Sequence, residues 1–445
     1  MYIAELIPLI AIALSVRCLQ IIVNPPFVGA RLMSAEQKED VLTVFGAKWK
    51  NVGNLDYVCC WYRKAAQMMQ DTTIRTALVS TNSVCQGETV TNLWKPLFES
   101  GVHIDFAHRT FRWDSEAAIK AHVHCVIVGF SVAPYDGVKV IFDQEEAMQV
   151  SHINGYLIEA DDVFIGSRAN PLCNVPIMSL GNQPIDGGYY LFTKEEMEDF
   201  VSKEPGSAPY FHEWFGSVEF INKSPRYFLY LQDCPIDKIR RMPLCYERIQ
   251  KVKEYRSASN RAVTRALSDT PLKFAFTNIS QGSFIVVPEV SSEKRKYIPM
   301  GFMQPPAMCS NLVKVVPNAS IYHFGVLTSN VHMAWMRTVC GRLEMRYRYS
   351  NTIVYNNFPW PTPTEAQKSR IEQTAQAILD ARALYPEASL ADLYDELTMP
   401  PELRAAHQRN DRAVMEAYGM DVRTTTESSC VAELMRRYRE LTSST

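Results

Sequence analysis

Apolar and polar positions divide this chain into three textures. From residue 19 to about 145, short continuous apolar runs alternate with stretches whose apolar residues recur every three or four positions. The runs at 19–23, 74–80, 102–107, 122–130 and 137–142 predict strands, and 54–70 and 89–99 predict helices. Continuous apolar strands between helices predict a mostly parallel, doubly covered α/β sheet, its last two strands antiparallel because they are close in sequence. Residues 160–360 carry most of the Gly and Pro turns, with β-like runs at 218–222, 227–231, 284–288 and 352–356, and predict a separate α+β domain. Thr193 with Glu196 is a capping box opening a helix there. From Pro361 onward the pattern is helical: 363–384, then 390–397 capped by Ser389 with Asp392, then 401–418, then 430–441 after a polar stretch.

Composition narrows the class. A 445-residue chain with 47% apolar and 21% charged residues reads as an ordinary globular protein, of roughly two to four domains. A net charge of −2 excludes a uniformly basic nucleic-acid coat, so any such contact comes from local patches. The eleven cysteines, an odd number without a CxxC pair, read as core residues of a reducing compartment, neither a zinc site nor a disulfide framework. The nine histidines are dispersed, and His122 and His124 alternate as strand residues. The apolar stretch within residues 5–15 is too short to span a bilayer and lacks a basic flank and a cleavage site. It predicts a buried helix or disordered leader of a cytoplasmic protein without a membrane segment.

The run Leu19–Val23 feeds Asn24-Pro25-Pro26-Phe27, which puts this tetrapeptide at the carboxyl end of a strand, the edge where ligands collect in open α/β sheets. Asn24 offers a carbonyl to an amino group, the carbonyl of Pro25 accepts without a competing N–H, and Phe27 offers a stacking face. A pocket for a planar amino-bearing base and a plain Asn-Pro turn both fit these four residues. Asp237–Arg265 holds nine Lys or Arg against three acids, and Arg248, Lys251, Lys253 and Arg256 would form a helical ridge for phosphates or a merely solvated face. Around Arg337, Arg342, Glu344, Arg346 and Arg348, mixed acid and guanidinium groups suit either base-edge reading or a salt-bridged strand. Phe106, Arg109, Phe111, Arg112 and Trp113 fall on a loop after a strand, suited to DNA backbone contact and base stacking or to anchoring the loop. Thr81-Asn82-Ser83 and Gln86-Gly87-Glu88 place further polar groups at the same edge.

Four strings, NPPFVGA at 24–30, LVSTNSVCQGETV at 78–90, FAHRTFRW at 106–113 and GRLEMRYRYSNTIVYNNFPWP at 341–361, resemble the adenine-specific DNA methyltransferases of type IIL (MmeI-like) restriction–modification enzymes, from about residue 19 to about 420. The resemblance implies a partial Rossmann-like class I methyltransferase sheet, followed by an α+β target-recognition domain and a helical C-terminal domain. The expected segments are a leader at 1–18, the carboxyl half of the methyltransferase domain at 19–158, target recognition at 159–361 and the helical domain at 362–445. It implies that Asn24 and Pro25 hold N6 of an adenine flipped out of double-stranded DNA, with Pro26 in the loop and Phe27 stacked on the base, for in-line transfer from S-adenosylmethionine. Glu344 and Arg346 would read one C·G pair, and Arg109, Arg112, Arg248 and Lys251 would contact DNA. The chain departs from the family in one respect: its first glycine is Gly29, so no glycine-rich turn for S-adenosylmethionine precedes Asn24. A split or truncated gene, or a start placed inside a longer frame, is therefore expected, with weak binding of S-adenosylmethionine by the chain alone and no nuclease activity. The alternative is a DNA-recognition module or inactive remnant that needs an N-terminal partner chain. Methylation of a protein glutamine fits the large recognition domain less well.

Overall fold

The computed structural model describes residues 20–113, 123–144, 146–343 and 345–443. The expected leader lies outside the described residues. The chain forms two compact units that interleave along the sequence: Met1–Cys173 with Ala334–Trp360 and Arg423–Thr445, and Asn174–Met333 with Pro361–Val422.

The first unit is built on a six-stranded sheet of order β1-β2-β4-β3-β5-β6, with β1 Gln20–Val23, β2 Arg75–Thr81, β3 His103–Trp113, β4 Val123–Ser131, β5 Lys139–Asp143 and β6 Glu146–Val150. β1 runs parallel to β2 and β3 to β5, whereas β4 is antiparallel to both β2 and β3, and β6 to β5. The sheet is therefore mixed, not mostly parallel. β4 and β5, the two strands expected to be antiparallel, do run in opposite directions, but β3 lies between them. Cys125, Val126, Val128 and Phe130 on β4 are fully buried, and burying both faces of such a strand requires a central position whatever its neighbours in sequence. β3 also continues through Trp113, with shifts of register at two points, so the Phe106–Trp113 segment is strand rather than loop.

The expected helix at 54–70 is shorter, Cys59–Met68, and the one at 89–99 is interrupted by a wide turn at Val90–Trp94. Tyr62 ties the first of these to the sheet: its ring stacks on Phe130 with centroids 5.3 Å apart, and its hydroxyl lies 2.5 Å from Ser80 Oγ. Residues from far down the chain complete this unit. Trp335 donates to the carbonyl of Val354 at 3.0 Å, and Arg337 grips Glu427 of the final helix, Glu427–Ser443, through two guanidinium nitrogens at 2.8 Å.

The second unit holds two four-stranded sheets. One orders Met308–Cys309, Phe211–Phe215, Arg226–Leu229 and Leu191–Phe192; the other orders Gly301–Met303, Phe284–Pro288, Val313–Pro317 and Ser179–Leu180. Trp214 stacks on Phe228 at 4.5 Å, and Phe274 meets Phe228 edge-on at 5.3 Å. Helices Glu365–Ala383 and Pro401–Ala417 belong to the same unit, linked by a 3.1 Å hydrogen bond from Thr374 Oγ1 to Asn410 Oδ1. The capping boxes read from sequence at Thr193 with Glu196 and at Ser389 with Asp392 are both formed, although the second helix ends at Leu393.

Two strand expectations fail here. Residues 217–222 are a helix, because Phe220 and Ile221 are buried while Val218 is exposed and Glu219 caps the backbone of Gly216. In the first unit, 351–355 is a wide helical turn started by Ser350 Oγ accepting from the Ile353 N–H. Short apolar runs fit either geometry, and capping decides between them. Among the described residues no helix is long and apolar enough to cross a membrane.

Candidate functional site

β1 ends at Val23, opposite Leu78 of the parallel strand β2, so the loops after these two strands emerge side by side at the carboxyl edge of the sheet. Asn24 is exposed, and its amide makes no hydrogen bond among the described residues. Pro25 is buried, Pro26 is exposed and Phe27 is half-buried. The two prolines fix φ and carry no N–H, so the loop presents carbonyls without spending a donor. Carbonyls on a stiff loop at this edge, the Asn24 side chain's and Pro25's, can each accept one hydrogen from an incoming amino group.

What holds the loop is a pair of residues that the sequence reading passed over. Asp56 Oδ1 accepts from the Ala30 N–H at 2.8 Å, and its Oδ2 accepts from Ser83 Oγ at 2.6 Å. Tyr57 donates its N–H to the Val28 carbonyl at 2.9 Å and its hydroxyl to Asp40 Oδ2 at 2.6 Å. The only available signal was an acid just ahead of the helix Cys59–Met68; its partners 26 residues upstream and 27 downstream are not visible in sequence spacing.

The loop after β2 forms the neighbouring wall. Ser83 Oγ also meets Thr81 Oγ1 at 2.7 Å. Asn82 Nδ2 and Gln86 Oε1 are buried without hydrogen-bond partners among the described residues, a donor and an acceptor left open beside the edge. Burial pushes the Cys85 thiol up to about 12, with Arg109 and Arg342 opposing the shift, so it is no nucleophile at neutral pH. The two guanidinium groups thus lie within electrostatic reach of this loop. Gly87, at φ +54°, takes a conformation that favours glycine, and a Cβ there would rest in ordinary contact with the Gly341 Cα, at 3.6 Å. The root of the hairpin formed by Gly341–Leu343 and Arg346–Arg348 therefore abuts the loop after β2.

On that hairpin Arg342 pairs across with Tyr347 and its guanidinium lies 4.3 Å over the Tyr347 ring. Arg346 stands opposite Leu343 and is exposed. Glu344 lies outside the described residues. Arg109 pairs with Asp143 of β5 at 2.9 Å, and Arg112 keeps its backbone opposite His124 in the β3–β4 ladder.

The second unit carries the segment read as a basic ridge, and one member leaves it. Arg256 is fully buried and donates to the carbonyls of Pro184, Ile185, Leu267, Thr270 and Lys273 at 2.7–3.0 Å, so it is a core residue. Arg248 lies 4.8 Å over the Phe192 ring and donates to the Tyr189 carbonyl, while Lys251 pairs with Glu247 at 2.6 Å. Lys238, Arg240 and Arg241 are exposed, with no ion pair among the described residues. Ten cysteines are free, and no cluster of His, Cys, Asp or Glu among the described residues could hold a metal.

An antiparallel β4 between β2 and β3 and an Asn-Pro-Pro-Phe loop after β1 define a methyltransferase-type α/β sheet, and the chain carries a second, mixed α+β unit. The chain belongs to the MmeI family: its methyltransferase domain matches residues 11–143, its target recognition domain 159–362 and its C-terminal domain 363–445. A DNA methyltransferase A of Bacillus subtilis (strain 168) is 41% identical over 419 residues, 94% of this chain and 47% of that protein. The structure of the type IIL restriction–modification enzyme MmeI in complex with DNA superposes with a TM-score of 0.89 at 44% identity, covering 96% of this chain and 57% of that one. The chain thus spans about half the length of the relatives it matches.

Proposed function

We propose that this chain carries the base-gripping and DNA-recognition parts of a site-specific adenine-N6 DNA methyltransferase of a restriction–modification system. The observation that supports it best is the exposed Asn24 amide, without a hydrogen bond among the described residues, on a proline-stiffened loop at the carboxyl end of β1. In this reading an adenine is flipped out of the duplex, because N6 is not reachable inside the stack. The carbonyls of Asn24 and Pro25 each accept one N6 hydrogen, which orients the nitrogen lone pair toward the methyl donor, and Phe27 stacks on the ring. S-adenosylmethionine supplies the methyl group when bound. The residues around Asn24 fit the acceptor side of that transfer; a glycine-rich strand-to-helix turn suited to the donor is not among the described residues of the first unit.

DNA is the partner, and base reading falls to the hairpin at 341–348. Arg346 donates twice to guanine while Glu344 accepts from the amino group of cytosine. Replacing Glu344 and Arg346 together by Lys and Asp would then reverse the preference at one base pair. Sequencing that finds the modified motif unchanged at every position would remove this assignment. Arg109, Arg112, Arg248 and Lys251 are proposed to contribute backbone contacts, and Arg346 keeps its role only if its replacement changes sequence preference rather than affinity alone. The free cysteines fit a cytoplasmic setting.

A second reading, a recognition module that works with a separate N-terminal polypeptide, is favoured by one observation. The outer edge of β1 pairs with no strand among the described residues, and Ile22 on it is 74% exposed. An open edge with exposed apolar side chains is ready to accept another strand. The test is methyl transfer from labelled S-adenosylmethionine to DNA, with and without an added fragment bearing a glycine-rich turn. Transfer by the chain alone favours the first reading, and transfer only with the fragment favours the second. No transfer under either condition, together with no DNA binding, would dismiss both.

A further inference from the structure

We propose that Asp56 is the positioning residue of the methylation site, locking the loop that bears Asn24 to the loop that follows β2; this rests on the reading of the Asn24 loop given above. Asn24 makes no hydrogen bond among the described residues, so its direction depends on how the rest of its loop is held. The prolines stiffen the near side of the loop. On the far side Val28 and Ala30 are held by consecutive residues, through the Tyr57 N–H and the Asp56 carboxylate. Only the Asp56 side chain also reaches Ser83 on the neighbouring loop, where Ser83 continues to Thr81 at the end of β2. The chain of contacts Ala30–Asp56–Ser83–Thr81 thus spans the carboxyl ends of two adjacent parallel strands.

The anchor itself is rigid. Leu55, Tyr57, Val58 and Cys59 are 0–1% exposed, and Tyr57 packs edge-on against Trp61 at 5.2 Å. Two hydrogen bonds, from the Ala30 N–H and from Ser83 Oγ, converge here on one side chain. Asp56 is only half-buried, so its loss would free the loop without opening the core.

The test compares Asp56→Ala, Asp56→Asn and Ser83→Ala in the full chain, supplied with an N-terminal fragment if transfer requires it. An asparagine can still accept from Ala30 and can donate to Ser83, so D56N should behave nearly as wild type. D56A should raise amide exchange across residues 27–31 by ~10-fold, with little change in melting temperature. It should lower kcat by up to ~100-fold, since small misplacement of a catalytic group is costly, while KM for DNA stays within about threefold. S83A should show a smaller loss, and adding it to D56A should add little. Unchanged exchange in D56A, or D56N as damaged as D56A, would overturn the inference. If wild type transfers no methyl group but exchange responds to D56A as expected, the catalytic reading fails and Asp56 remains a loop lock without a methylation role.

Discussion

At the scale of single residues, identical side-chain types separate into chemistry and scaffold according to their partners. Asn24 is exposed and without a partner among the described residues, so Asn24→Ala should leave the melting temperature unchanged and reduce methyl transfer by ~100-fold or more. Equal transfer by N24A and wild type would remove Asn24 from the site. Arg256 is the opposite case, a guanidinium from the basic segment that spends all its donors on five backbone carbonyls in the core. Arg256→Ala should destabilise the fold by ~3–5 kcal/mol, and Lys should rescue poorly because an ammonium cannot match the planar fork. Urea unfolding of both variants checks this. The tetrapeptide was legible in sequence because its chemistry is local. Asp56 was not, since its meaning lies in partners on two other loops.

At the scale of elements, the starts of five of the six strands of the first sheet were readable from apolar runs to within two residues, whereas β6, the far end of β3 and the partnering were not. A strand's neighbour is chosen by which faces must be buried, and that is a property of the whole sheet. Backbone approach is equally invisible: a Cβ on Gly181 would lie 2.2 Å from the Ser310 carbonyl oxygen. Gly181→Ala should therefore push Ser179–Leu180 away from the strand end at Cys309 and Ser310, costing ~3 kcal/mol or more. A melting temperature within 1 °C of wild type, as an order-of-magnitude threshold, would show that the backbone yields freely there. Helix starts fared better than strand partners, because the boxes at Thr193 and Ser389 are closed by residues three positions on.

At the scale of the whole molecule, burial couples stability to pH. Burial lowers His332 from its ordinary value to about 3, and His407 is also held well below it. The unfolded chain takes up a proton on each near pH 6.5, whereas the folded chain resists until far lower pH. Between about pH 6.5 and 3 the unfolded state thus binds more protons, and stability falls as pH falls, by at most ~1.4 kcal/mol per unit for each group. Melting temperatures should drop steadily on acidification below pH 6.5, and His332→Gln should flatten that slope. A slope identical to wild type would mean that His332 does not carry it.

The sequence by itself determined the alternation of strands and helices, the capping boxes, the Asn-Pro-Pro-Phe loop and the family that these strings resemble. All of these are set by neighbours within a few positions along the chain. Tertiary structure alone decided that β4 lies between β2 and β3, that Arg256 is core and Arg337 bound to Glu427, and that Asp56 joins two loops. Those outcomes depend on which distant segments share a buried face, and hydrophobic burial is non-directional, so local pattern cannot specify it.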